Sequence, residues 1–288
     1  MGARGRVEGA WPRHRDQERE AEPCPEPEPP GARPGPPPTR WGICAAGAIS
    51  HDFVLALGTL PRSEHTVAAV AARDLGRAQA FARRFGVPRA YGSYEELAED
   101  PDIDVVYVGT VNPAHLPAGL LFLRRGRAVL MEKPMALGAR EVAQLVGTAR
   151  ERGVFLMELP SHMNCPTELL WGGHRERFPL PALAEPPNFP HGAGLRYEAQ
   201  HVRDCLLRGL TESPEMPLAE SEVIAQLLDE ARAQVGVRLS GATTDHPERP
   251  LTLSSDQPPS GVTTDHPERP LTLLSDQPPS GVTTDCLE

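Results

Sequence analysis

Two apolar patterns alternate between residues 41 and 158. Short unbroken apolar runs recur at Trp41–Ala46, Thr66–Ala72, Val105–Val108, Ala128–Met131 and Val154–Met157, each of a length that suits a strand buried on both faces. Ala90-Tyr91 adds a shorter strand. Between the runs, apolar residues fall at helical spacing. Residues 48–60 place Phe53, Leu55, Leu57 and Leu60 in a helix, and Leu75–Phe85 reads as a helix closed by Gly86 and Pro88. Ser93 and Glu96 have the spacing of a capping box for a helix that ends near Glu99. Pro117–Arg125 and Ala139–Arg152 stop at Gly126 and Gly153. Six strands alternating with five helices predict an α/β fold with a doubly wound parallel sheet.

Beyond residue 158 the pattern thins. Glu168–Trp171 and Arg175–Phe178 flank Gly172-Gly173 as hairpin strands. Tyr197–Leu210 reads as a helix ended by Gly209 and Pro214. Leu218–Val235 reads as another, with an acidic start and Val223, Leu227, Leu228 and Ala231 on one apolar face. At both ends of the chain the periodicity disappears. Residues 1–40 hold 10 of the 33 prolines and 241–288 hold 8, so neither end can bury a core. The first segment is either a ligand for a proline-reading module or a disordered extension. Gly241–Ser260 and Gly261–Ser280 are near-identical 20-residue units. Their four prolines and few large apolar residues apiece argue for a disordered repeat rather than a stacked solenoid.

Composition narrows the function classes. The formal net charge is -10 and no basic cluster is interleaved with aromatics, which argues against a nucleic-acid partner. Five cysteines, scattered and without metal-ligand spacing, suggest free thiols of a reducing cytoplasm and no metal site. No apolar run approaches the ~18 residues of a membrane span. The N-terminus has no apolar signal core, and Arg6 breaks the myristoylation pattern begun by Met1-Gly2. The expectation is a cytoplasmic protein with a small-molecule partner.

The candidate chemistry lies at the carboxyl ends of the strands, where open parallel sheets bind ligands. After the first strand, Ala45, Gly47 and Ser50 stand at the three positions of a G-x-G-x-x-G/A fingerprint. This is either an ordinary strand–helix turn or one whose Gly47 and Ile49 amides face a pyrophosphate. Arg73 ends the second strand, where an acidic residue would bind a ribose 2′-OH and an arginine suits a 2′-phosphate. It is therefore an NADP determinant, with Arg77 one helical turn on to share the work, or a solvated loop charge. Thr110, Asn112 and His115 follow the fourth strand and are candidates for the nicotinamide side, although His115 could equally be satisfied at a helix start. The fifth strand stops abruptly at Glu132-Lys133-Pro134, which delivers a Glu and a Lys to the crevice or forms a surface ion pair.

Trp41–Ser50, Val67–Asp74, Ala90–Leu97, Val106–Thr110 and Val129–Pro134 together resemble the glucose–fructose oxidoreductase/inositol dehydrogenase family. The resemblance implies a Rossmann domain and NADP-linked oxidation of a trans-dihydrodiol or an aldose by a homo-oligomeric, dimeric parent. It implies that Lys133 reaches the nicotinamide ribose and the substrate hydroxyl, with Glu132 beside it, and that the Lys133–Pro134 bond is cis. It covers residues 41–158, breaks, and resumes at about Asn164–Leu239. Between Glu158 and Asn164 the family has most of a second domain, including an acid–base tyrosine, and here only Leu159–Met163 intervene. None of Tyr91, Tyr94, Tyr107 and Tyr197 matches that tyrosine. The expected organisation is a disordered extension (1–40), a dinucleotide-binding domain (41–158), a truncated α+β remnant of the substrate domain (159–240) and disordered repeats (241–288). The chain is then an NADP-dependent dehydrogenase, a cofactor-binding form with impaired turnover, or an interaction protein built on its tails.

Overall fold

The computed structural model describes residues 35–160, 167–237 and 239. The proline-rich residues 1–34, most of the junction and the 20-residue repeats lie outside the described residues, and with them Cys24, His162, Cys165 and Cys286. Six strands form one parallel sheet: β1 (Thr39–Cys44), β2 (His65–Ala71), β3 (Arg89–Tyr91), β4 (Val105–Val108), β5 (Ala128–Met131) and β6 (Leu156–Glu158), in the spatial order β3-β2-β1-β4-β5-β6. This is the doubly wound dinucleotide-binding order, which reverses between β1 and β4.

Alternation along each strand sends neighbouring side chains to opposite faces. Trp41, Ile43, Val105, Tyr107, Ala128 and Leu130 join one buried cluster, and Cys44, Val106, Val108, Val129 and Met131 join the other. The first face is covered by α1 (Ala48–Leu57), α2 (Leu75–Phe85) and α6 (Leu195–Leu207). The second is covered by α3 (Tyr94–Glu99), α4 (His115–Arg124), α5 (Ala139–Arg152) and α7 (Leu218–Val235). Ser93 and Glu96 close the expected capping box at α3.

The last two helices thus belong to the sheet's own layers. Arg203 of α6 is buried and donates to Thr39 Oγ1 at 2.8 Å and to the Pro37 carbonyl at 3.0 Å, while His65 sits between Trp41 Nε1 and Gln200 Oε1 at 3.2 and 3.1 Å. These bonds correct the expectation of a disordered extension running to residue 40, since Thr39 and Arg40 already pair with β2. Polar as they are, α6 supplies a partner for Thr39, and Asp104 grips the Arg40 guanidinium.

Val223, Leu227 and Leu228 are exposed, and α7 instead buries Leu218, Ser221 and Ala225. Its small-residue side lets it approach α5 closely, and its polar residues reach the loop before α5. The hairpin of β7 (Glu168–Trp171) and β8 (His174–Arg177) pairs with no other described strand. No described helix is long and apolar enough to cross a membrane.

Candidate functional site

The turn after β1 is built for an anion. Ala45 takes a positive φ of 83°, the conformation that the first glycine of the fingerprint usually supplies. Gly47 caps α1 in an extended conformation with no side-chain cap, and the first turn holds no acidic residue. The Ala48, Ile49 and Ser50 amides therefore have no intrahelical partner and point out of the helix end. A side chain at Gly47 would meet only the Gly109 carbonyl oxygen, 4.0 Å away, so the space over the turn is open.

Two arginines stand beside this turn. Arg73 is exposed at the carboxyl end of β2. Asp74 does not face the crevice, because its carboxylate caps α2 by accepting from the Arg77 amide at 2.8 Å. The Arg77 guanidinium reaches back to the Ala46 carbonyl at 3.5 Å, which holds it over the β1–α1 turn. Half-buried Tyr94 completes the group. Burial raises its hydroxyl pKa, and Arg73 and Arg77 are close enough to pull it back. Its place in a capping-box motif hid it from a reading of the sequence.

Across the crevice, β4 and β5 end in two linked loops. Gly109 cannot carry a side chain: its Cβ would lie 2.5 Å from Ser50 Oγ and 2.9 Å from the Tyr107 ring. Thr110 Oγ1 is buried without a partner, and Asn112 is exposed at the start of a 3-10 turn. His115 is fully buried, with Nδ1 2.9 Å from the Pro134 carbonyl oxygen and Nε2 3.0 Å from that of Thr110. Its ring ties the two loops together and does not face the crevice. A neutral imidazole donates to only one of these carbonyls at a time.

Glu132 is also turned inward. Its carboxylate accepts from the Tyr107 hydroxyl at 2.6 Å and from the Lys133 amide at 3.2 Å. Tyr107 stacks on Phe53 with ring centroids 3.9 Å apart, and burial together with Glu132 pushes its hydroxyl pKa well up. Lys133 follows, with a cis bond to Pro134. Its side chain is exposed and has no partner among the described residues. It is also the only lysine in a chain with 29 Lys and Arg residues.

The sheet order brings Gly47, Ile49, Arg73 and Arg77 to one side of the crevice and Thr110, Asn112 and Lys133 to the other. His115 and Glu132 lie behind that second side as supports. No tyrosine completes an acid–base pair with Lys133 among the described residues. Tyr107 donates into Glu132, Tyr91 donates to Asp100 at 3.0 Å, and Tyr197 is exposed on α6 under Arg196.

Residues 39–159 match the family model described as an oxidoreductase family with an NAD-binding Rossmann fold. The chain is 35% identical to a trans-1,2-dihydrobenzene-1,2-diol dehydrogenase of Danio rerio over 324 aligned positions, covering 69% of this chain and 97% of that one. For the Homo sapiens protein of the same name the figures are 33%, 69% and 97%. Covering nearly the whole relative with so much less than a full-length chain leaves a large internal block of the relative without a counterpart here. A solved 3-ketoreductase, KijD10 of Actinomadura kijaniata in complex with NADP, is 35% identical over 42% of this chain and 38% of that chain, with a TM-score of 0.40.

Proposed function

The chain belongs to the oxidoreductase family with an NAD-binding Rossmann fold, and on that premise we propose that it binds NADP(H) and acts on a trans-dihydrodiol, as the names of its relatives suggest, or on an aldose. The observation that carries the cofactor choice is the cationic end of β2. Asp74 is spent on the α2 cap, while Arg73 is exposed and Arg77 is held over the phosphate-binding turn. Two guanidinium groups favour a 2′-phosphate over a bare ribose hydroxyl. The uncapped start of α1 and the open space above Gly47 fit a pyrophosphate.

Bound in this crevice, NADP⁺ would supply the hydride acceptor for the carbinol carbon. Thr110 and Asn112 border the nicotinamide side, with His115 holding Thr110 in place. Lys133, at the end of β5, receives the substrate hydroxyl, and its ammonium stabilises the developing alkoxide. Glu132 locks the backbone amide of Lys133 so that the side chain starts from one fixed point. The hydroxyl proton then passes to solvent. A second reading, cofactor binding with little turnover, is favoured by the exposure of Lys133 and by the missing tyrosine.

The test is a fluorescence titration with NADPH and NADH on the full chain. NADPH is expected to bind more tightly. Charge-assisted contacts to a phosphate contribute about 1.5–3 kcal/mol each, so Arg73→Asp should weaken NADPH binding by about tenfold or more while leaving NADH binding little changed. Equal affinities for the two cofactors in the unmodified chain would refute the assignment.

A further inference from the structure

The loop that carries Lys133 is held almost entirely by side chains. Lys133 N donates to Glu132, the Pro134 carbonyl meets His115, Met135 N donates to Glu158 at 2.8 Å, and Leu137 N donates to Glu141 at 3.1 Å. The remaining two bonds come from α7, far along the chain. Asp229 Oδ2 accepts from Ala139 N at 2.8 Å, and Arg232 Nη1 donates to the Leu137 carbonyl at 2.9 Å and to Asp229 Oδ1 at 3.0 Å.

The α7 contact is shaped for this. The N-cap of α5 is Gly138, which has no side chain of its own to cap with. A Cβ at Gly138 would sit 3.1 Å from both Asp229 oxygens. Asp229 therefore caps α5 from another helix, with its negative charge at the positive end of the helix dipole. The seam between loop and helix leaves a cavity of only ≈ 10 Å³, lined by residues including Pro134, Met135, Glu158 and Ser221.

We propose that Asp229 and Arg232 are positioning residues for Lys133: α7 fixes the loop from Lys133 to Ala139 and so sets where the amine meets the cofactor. This rests on the reading of the crevice as a cofactor site. It also gives the retained C-terminal helix a role in the chemistry of the first domain.

Because Lys133 is the only lysine, amine acylation followed by mass spectrometry reports on it and on the N-terminus alone. The full chain is labelled with sulfosuccinimidyl acetate, with and without saturating NADPH, as the unmodified protein, as Asp229→Ala and as Asp229→Asn, which keeps a carbonyl acceptor for Ala139. NADPH should slow labelling of Lys133 by about fivefold or more in the unmodified chain and in Asp229→Asn, and should lose that protection in Asp229→Ala. Equal protection in all three would overturn the proposal.

A second arm needs no cofactor. In Asp229→Ala, amide exchange at Met135 and Leu137, which Asp229 does not touch, should quicken by about tenfold while β5 stays unchanged. Unchanged exchange at those amides overturns the proposal as well. If NADPH gives no protection even in the unmodified chain, the cofactor reading fails, and the exchange arm alone decides whether α7 holds the loop. Should Asp229→Ala not fold, Arg232→Met, which removes only the bonds to Leu137 and Asp229, is held to the same outcomes.

Discussion

Ala45 is the residue where the chain departs most visibly from its own fingerprint. A non-glycine residue at positive φ costs about 1–2 kcal/mol, and φ is 83° here. Replacing it with glycine relieves that strain but adds freedom to the unfolded chain, an offset of about 0.4–1 kcal/mol. Ala45→Gly should therefore stabilise the fold by about 0.5–1 kcal/mol and raise Tm by a few degrees in thermal melts, without weakening NADPH binding. A lower Tm would show that the Ala45 methyl group contributes packing that outweighs its backbone strain. Elsewhere in the crevice, Arg73 and Lys133 stand at the strand ends where their sequence positions put them, and both are exposed. Residue type was a poor guide to Glu132, and of the two readings of His115 the structure bears out the satisfied histidine. Each is committed to a partner on a separate strand or loop, 19 to 25 positions away.

Among the elements, those with one clear period were legible to the residue: α2, β4, β5, α5 and α7 start and stop where their apolar spacing and end residues indicate. The ends of β1 and α6 were not, since the chain's path there is set by tertiary bonds such as Arg203 to Thr39. The face of α7 was misleading for the same reason, because Asp229 and Arg232 turn it toward α5. A comparable tie joins the segment before α6 to α1. Asp52 is fully buried and accepts from the amides of Asn188 and Phe189, each at 2.8 Å, from the Asn188 side chain and from His51. Burial alone would raise its pKa, and these donors outweigh burial and hold the carboxyl below its ordinary range. A depressed carboxylate stabilises the folded state above its unfolded pKa of about 3.9, and that stabilisation is lost as pH falls through the lower folded value. Asp52→Ala strands two backbone donors and should cost about 2–4 kcal/mol at neutral pH. Its chemical-denaturation midpoint should also lose part of the decline below pH 4 seen in the unmodified chain. An unchanged midpoint at neutral pH would mean that the segment around Asn188 does not depend on this carboxylate.

At the scale of the whole molecule, the first domain was legible from alternating periods, and the gap after Glu158 only through the family resemblance. What the gap removes chemically could be read only against the relatives, which carry a large block with no counterpart here. Oxidising an alcohol needs a group to take the hydroxyl proton within hydrogen-bond reach, and losing such help typically costs about 10²–10⁴ in rate. Of the described tyrosines, Tyr107 is held by its bond to Glu132 and Tyr91 by its bond to Asp100, Tyr94 lies beside Arg73 and Arg77 across the crevice, and Tyr197 is exposed on α6. Lys133 stands exposed to solvent at the end of β5. His115 cannot replace it, with both ring nitrogens on backbone carbonyls. The purified, monodisperse chain should therefore bind NADPH yet form it from NADP⁺ and a trans-dihydrodiol or D-xylose at least about 10²-fold more slowly than the Danio rerio relative assayed alongside. Truncation of Lys133 to alanine should lower this residual rate further, because in the proposed function its ammonium stabilises the alkoxide. A rate within about tenfold of the relative would mean that another group reaches the substrate hydroxyl, and the solvent isotope effect and pH profile of that activity would identify its ionisation.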